Sequence, residues 1–322
     1  MEKEPIRVIH QNVKLLTISN PLKRIEYAGR ICYQSLDKIK PGSDWKFVCN
    51  LVKHGHMTPL EHAYFGVPAK LFSQDQLAHV WSKDSDSPFL QHVFCKQDGN
   101  KVYGTLRAFL NAGLDLEKVK PYMTRNCKDF VTFVITTDRG VATEFYRHRS
   151  IAYDDQGYEV GAVSLARFEE IEDPVLNQTS TRYIDLSKKP AEIVLPEPMM
   201  TEEDSEGADY YFWYHSCKSS IQTYVQLILN GNPPQFARNV LPLSIACTMV
   251  MSAHLPVWHA LLKLRLAKGA HPQARYLAYQ LWKTGLRRLS LEQGYSIDEI
   301  EALSNTVVHD YHYFFQGDEH GK

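Results

Sequence analysis

Apolar positions along the chain follow two rhythms, one of period two and one near 3.6. From Ile6 to Leu16 they alternate in part, with Ile6 and Val8, then Val13 and Leu15, which predicts a first strand. Asn20-Pro21 reads as an N-cap with proline at the first helical position. Leu22, Ile25, Ala28 and Cys32 then recur at helical spacing, predicting a helix to about Ser35. Ser43 is expected to cap a second helix, with Trp45, Val48, Leu51 and Val52 inward and Gly55 as its stop. Lys83 to Pro88 reads as a loop, Lys101 to Gly104 as a short strand, and Leu106 to Leu114 as an amphipathic helix. Phe130 to Ile135 is the clearest strand; it runs through Asp138-Arg139-Gly140 into a helix from Val141 to Arg149. Further on, a long helix is predicted over Tyr210 to Leu229, ended by Asn230-Gly231, then a short helix opened by Pro233-Pro234. Ser244 to Ala253 reads as an apolar strand, with helices opening at Pro256 and at His271-Pro272.

At 322 residues, with 44% hydrophobic and 23% charged residues, the chain can bury a large core. Its 36 Lys and Arg against 37 Asp and Glu argue against a dedicated nucleic-acid binder, which carries a basic surplus, and leave room for a local cationic pocket. Six dispersed cysteines without a C-x-x-C pair read as reduced thiols, with no disulfide frame and no metal site expected. The absence of an 18-residue apolar run or a signal-like start leads to the expectation of a cytoplasmic protein without a membrane partner. Thr201 to Asp209 reads as an acidic linker and the last residues, from Gln316, as frayed.

Candidate chemistry gathers in two basic clusters, Arg147-His148-Arg149 and Ser180-Thr181-Arg182-Tyr183. Guanidinium groups fork onto two oxygens of a phosphate or carboxylate, and a histidine between them titrates near neutrality. The alternative for an isolated R-H-R is a solvated helix end. Between the clusters, Ser150 to Leu176 carries seven acids and one base with two glycines, the composition of a mobile surface insertion or of a passive acidic loop. Gly55 to His62 packs two His, a Thr and a Glu into eight residues; it reads as a ligand-facing loop or as a capping box of Thr58 with Glu61. Arginines at 147, 149, 182, 238 and 265 fall near element ends, more than one phosphate needs. G-x-G-x-x-G, the P-loop and the G-x-S-x-G elbow are all missing.

These residues resemble the flavin-dependent thymidylate synthases, whose signature is R-H-R, a spacer, then S-x-R-Y. Ala28-Gly29-Arg30-Ile31-Cys32-Tyr33 is similar to that family's first helix, and Gly55 to His62 to its G-H-x-T-P-x-E-H loop. Phe236 to Leu243 resembles its A-R-x-x-L-P block, and Leu264-Arg265 a later L-R. The resemblance implies an α/β (α+β) fold, a single mixed sheet flanked by helices with a long helical C-terminal half. It implies one domain over 1–322, with insertions at about 66–129 and 150–176. It further implies reductive methylation of dUMP to dTMP, with methylenetetrahydrofolate and NADPH as cosubstrates through FAD, in a homotetramer with shared active sites. By the same carry-over, Thr58, Glu61, Arg147, His148, Arg149, Asn177 and His254 would face FAD. Glu144, Gln178, Ser180, Arg182, Arg238 and Arg265 would hold dUMP, with His56, Ser180 and Arg265 at the reacting centre and Ser180 orienting rather than attacking.

The chain departs from the pattern in places. The spacer between the clusters is 30 residues, Ser150 to Thr179, and contains a decoy, Ser164-Leu165-Ala166-Arg167-Phe168. Glu144 stands where that family has Gln, Gln178 where Glu is common, and Ser252-Ala253-His254-Leu255-Pro256 where it has S-G-N-x-R. Two other functions remain open on sequence: a sister enzyme using the same cofactors, such as a dUMP 5-hydroxymethylase, and a non-catalytic nucleotide- or RNA-binding relative.

Overall fold

The computed structural model describes residues 6–76, 95–147, 174–181, 185–188, 190–200 and 207–316. In chain order the elements are β1 (Ile6–Ile9), β2 (Asn12–Leu15), α1 (Pro21–Cys32), α2 (Ser43–Lys53), β3 (Tyr64–Pro68), β4 (Cys95–Asp98), β5 (Lys101–Thr105), α3 (Leu106–Asn111) and α4 (Leu116–Val119). They continue with β6 (Phe130–Asp138), α5 (Arg139–Tyr146), β7 (Val175–Gln178), β8 (Ala191–Val194), α6 (Ala208–Leu229), α7 (Pro234–Ala237) and β9 (Ala246–His254). The C-terminal part is helical: α8 (Leu255–Leu266), α9 (Pro272–Leu281), a π-helical turn (Trp282–Leu286), α10 (Arg287–Glu292), α11 (Asp298–Asp310) and α12 (His312–Gln316).

The mixed α/β class and the helical C-terminal part match the expectation. The single sheet does not: the described strands form three sheets, β1-β8, β2-β6-β9-β7 and β3-β5-β4. The alternating run at the start supplies two of them. β1 pairs parallel with β8, whereas β2 pairs antiparallel with β6. The chain changes sheet at His10-Gln11, where the Gln11 side chain is buried and its Oε1 accepts from Thr137 Oγ1 at 3.4 Å.

The four-stranded sheet is covered on both faces, as its apolar alternation requires. Phe133, Ile135, Met249 and Met251 pack on Trp258, Leu261, Leu277 and Leu281 from α8 and α9. On the opposite face Val250 meets Ala28 and Ile31 of α1. Asn20 caps α1, its side chain accepting from Lys23 N at 3.1 Å, with Pro21 at N1. The helix ends at Cys32, short of Ser35. Gly29 lets α2 approach: a Cβ there would come within 2.7 Å of the Phe47 ring.

Three local expectations are corrected. α2 starts at Ser43 behind Gly42, which takes a left-handed φ of 75°, so Ser43 is not the N-cap. Its hydroxyl turns instead to α1 and donates to Glu26 Oε1 at 2.7 Å. The helix after β6 opens at Arg139 because Asp138 Oδ1 accepts from Val141 N at 2.6 Å, and Arg147 already caps its other end. Val175 and Leu176, the last residues of the expected 150–176 insertion, are strand, paired with Ser252 and Met251. The rest of that insertion up to 173, the Lys83–Pro88 loop and the final residues lie outside the described residues, as does most of the 201–209 linker. Among the described residues no helix is long and apolar enough to cross a membrane.

The 66–129 stretch contributes β4, β5 and α3, and its Phe72, Val102 and Phe109 are buried with Ile25, Val48 and Phe65. Thr105 caps α3, accepting from Ala108 N at 3.1 Å.

Candidate active site

At the C-terminal end of α5, Glu144 holds two arginines. Its Oε1 accepts from Arg147 Nη2, and its Oε2 lies 3.1 Å from Arg265 Nη1, while Arg265 Nη2 donates to the Glu144 carbonyl. Arg265 comes from the last turn of α8, 121 residues further along the chain. Its side chain is only 16% exposed, against 66% for Arg147, and its Nε is buried without an acceptor. Beside them, the Tyr146 hydroxyl is also buried without a partner, and burial pushes its pKa well above the ordinary phenol value.

β7 delivers the next group by strand alternation. Asn177 pairs in register with Val250 and so shares the α1 face, where its Nδ2 is buried and unpartnered. Gln178 turns to the other face, and its Oε1 accepts from Cys247 Sγ at 3.2 Å. Ser180 follows at the end of α1, its N–H donating to the Cys32 carbonyl at 3.1 Å. Burial raises the Cys32 and Cys247 thiols to about 11, so both stay protonated near neutrality.

The Gly55–His62 loop closes over the α1 face. Thr58–His62 is a 3-10 turn without a side-chain cap, which corrects the Thr58–Glu61 capping box: Thr58 is exposed and Glu61 is buried against Arg107. His56 is exposed, with its Nδ1 3.1 Å from the Tyr33 hydroxyl and the two rings stacked. His62 is fully buried, its Nδ1 2.8 Å from Ser252 Oγ, and desolvation followed by the nearby Arg24 charge lowers its pKa to about 3. Ser252 Oγ is 2.7 Å from Thr132 Oγ1, which accepts from Arg24 Nη1 at 2.6 Å. Guanidinium nitrogens only donate, so the Thr132 proton is free for Ser252, and the Ser252 proton for His62 Nδ1. His62 then carries its hydrogen on Nε2, which is buried without a partner.

His254 stands at the end of β9, its Nδ1 2.9 Å from Asp129 Oδ2 and its ring edge-on to Tyr64 and Phe130. Arg238 is exposed on the 3-10 turn Arg238–Val240. His148, Arg149 and Arg182 lie outside the described residues.

The sequence-identified residues therefore fall into two groups. Asn177 and His254 on the α1 face of the sheet lie with the Thr58–His62 turn, while Glu144, Gln178 and Arg265 lie toward α5 and α8. Sequence reading missed Arg107, the partner of Glu61, and the Arg24–Thr132–Ser252–His62 chain. A buried acid demands a base, but nothing in the spacing says which one. The two groups suit anionic, ring-bearing ligands: a buried amide N–H at Asn177 in one and a buried guanidinium N–H at Arg265 in the other have no acceptor. Among the described residues no group of three or more His, Cys, Asp or Glu is placed to hold a metal.

Arginines and buried donors without acceptors, at strand and helix ends of a helix-flanked α/β fold, are suited to holding an anionic ligand. The family model described as "Thymidylate synthase complementing protein" matches residues 14–81 and 129–288. With more than half of its length matched, the chain belongs to that family, the flavin-dependent thymidylate synthase type, and is an enzyme. The match omits 82–128, within the stretch expected as an insertion. No curated protein sequence matches. Similar solved structures include a UMP/dUMP methylase from Streptomyces cacaoi bound with 5-Br dUMP, at 12% identity and a TM-score of 0.39, covering 88% of this chain and 93% of that one. Another is thymidylate synthase X from Helicobacter pylori with FAD and dUMP, at 16% identity and a TM-score of 0.37, covering 88% and 98%.

Proposed function

We propose that the protein is a flavin-dependent thymidylate synthase that converts dUMP to dTMP, with FAD as cofactor and methylenetetrahydrofolate and NADPH as cosubstrates. One observation carries the reading: Arg147, first residue of the R-H-R cluster, and Arg265 of the later L-R meet on one carboxylate, Glu144. Two motifs far apart in sequence thus converge as a shared site requires.

FAD, when bound, supplies the hydride chemistry. Thr58, Glu61, Arg147, His148, Arg149, Asn177 and His254 hold it in this reading, the unpartnered Asn177 Nδ2 donating to a ring or phosphate oxygen. Glu144, Gln178, Ser180, Arg182, Arg238 and Arg265 orient dUMP. An Arg265 guanidinium at a uracil carbonyl stabilises negative charge building on the ring, in a site dry enough for the effect to be large. The thiols raised by burial leave no cysteine thiolate at Cys32 or Cys247 for that task. His56, exposed on its loop, is free to face the meeting point of the reactants. The two groups of site residues lie on different faces of one sheet, which a homotetramer resolves by completing each site with groups from neighbouring subunits. The chain acts as one domain over 1–322, with 66–129 and 150–176 as elaborations, in the cytoplasm.

A second reading is favoured by Glu144 itself. Its single negative charge offsets part of the charge of Arg265 and Arg147, so the uracil ring meets less positive charge than a Gln would leave. A sister reaction on the same substrate, releasing a 5-hydroxymethyl nucleotide, follows from such retuning. The experiment is an absorption spectrum of the purified protein, then mass analysis of the product from dUMP, methylenetetrahydrofolate and NADPH. A flavin spectrum with a methylated product supports the synthase, a hydroxymethylated product selects the sister reaction, and flavin-free, inactive protein refutes both.

A further inference from the structure

A cationic cavity lies between the N-terminal part of α1, the start of β6 and α10, where its lining residue Phe130 packs edge-on against His254. It has a volume of about 190 Å³ and is lined by Arg24, Arg125, Lys128, Arg288, Asn126 and Thr132 among others. Among its described lining residues four are cationic and none is Asp or Glu. Arg24 is the unusual member, being only 6% exposed. A buried guanidinium ordinarily sits against a carboxylate, because leaving water without a counter-charge is costly. Among the described residues Arg24 has only neutral acceptors: Nε donates to the Ile18 carbonyl at 2.9 Å, and Nη1 to Thr132 Oγ1 at 2.6 Å and the Phe130 carbonyl at 3.4 Å. Desolvation accordingly lowers its pKa to about 10, with no carboxylate opposing the shift.

The other three cations leave their charge available. Arg125 and Lys128 are exposed and form no ion pair among the described residues. Arg288 has one, to Glu292 on its own helix at 2.7 Å, and both side chains are at least half-exposed, so that pair is weak and exchangeable. A buried, hydrogen-bonded guanidinium beside three exposed cations forms an arrangement that grips a tetrahedral oxyanion: one partner positions it and the others neutralise it. The space equals that of about six waters, enough for one phosphate group with its remaining hydration.

We propose that this cavity is a binding site for a phosphate group. The site is separate from the Glu144–Arg147–Arg265 cluster: it opens at the Phe130 end of β6, whereas Asp138 at the other end leads into α5. It is tied to the Gly55–His62 loop through the buried Arg24–Thr132–Ser252–His62 chain, so occupancy reaches that loop through hydrogen bonds.

The test is calorimetric titration of the full-length protein with orthophosphate, at an ionic strength held constant with sodium chloride. Saturable binding is expected, weakened at least tenfold in an R125Q/K128Q variant, whose exposed positions leave folding intact. Binding of the same affinity in that variant, or no saturable binding to the parent, overturns the proposal; the first result would move the ion to the Arg147–Arg265 region. Glycerol 3-phosphate titrated in parallel tells the source apart. Equal affinity assigns the cavity to the terminal phosphate of a larger molecule, and preference for orthophosphate assigns it to the free ion; either supports a phosphate site.

Discussion

Arg265 Nη1 lies 3.1 Å from Glu144 Oε2, and the same carboxylate takes a hydrogen bond from Arg147. An acid at this place sets how much positive charge the site offers a ligand. It also fixes Arg265 in one orientation, with the remaining Nε buried and without an acceptor. Replacing it with the neutral isostere separates those two roles. Glu144→Gln keeps an oxygen for Arg265 and removes the negative charge. Binding of dUMP is expected to tighten by about three- to tenfold, the effect of one nearby charge at a half-buried site. Equilibrium titration of parent and variant checks it, and weaker binding would show that Glu144 orients dUMP through its negative charge.

Removing the base that faces Glu61 should be felt in folding. Arg107→Ala takes away a cation bonded to a carboxylate that is itself 9% exposed. A loss of about 2 kcal/mol is expected, read by urea denaturation, and a Glu61→Gln/Arg107→Ala double variant should recover part of it. Equal losses in single and double variants would place the cost in lost packing.

His62 makes stability depend on pH in a defined direction. Folding lowers its pKa from 6.5 to about 3, so the unfolded chain binds a proton that the folded chain refuses between those values. Its contribution is complete above 6.5 and is lost as pH falls toward 3, with a slope of up to about 1.4 kcal/mol per pH unit. His62→Gln should flatten the stability profile across that window; an unchanged profile would mean that other groups carry the acid sensitivity.

The second basic cluster is tested by Ser180→Ala and Arg182→Ala. The first should weaken nucleotide alignment and leave flavin bound, since the Ser180 N–H that ties it to the end of α1 is kept in the variant. The second should cost about 2–4 kcal/mol in dUMP binding through loss of a charge-assisted partner. Turnover of both variants at the parental rate would remove these residues from the nucleotide site.

Much of the local structure was legible because it depends on neighbours in sequence. The Asn20-Pro21 start, the Asp138 turn into α5, the Asn230-Gly231 stop and the apolar runs of β6 and β9 all follow from capping, backbone conformation and alternation. The motif blocks pointed to Arg147 and Arg265, and the structure brings both onto the Glu144 carboxylate. Pairing was beyond the sequence, because it is decided by which surfaces meet. One alternating run became two strands in different sheets, and Ser43 gave up its cap for Glu26. Glu61 of the Gly55–His62 block met Arg107 from a stretch with no recognisable chemistry. The same holds for Arg24, which reads as an ordinary helical arginine between Lys23 and Ile25. Only the packing of α1 on β6 buries it, withholds a carboxylate from it, and leaves it lining a cationic cavity. Spacing along a chain fixes how each segment folds; the charge environment of a side chain depends on atoms brought from elsewhere, and these only the tertiary structure supplies.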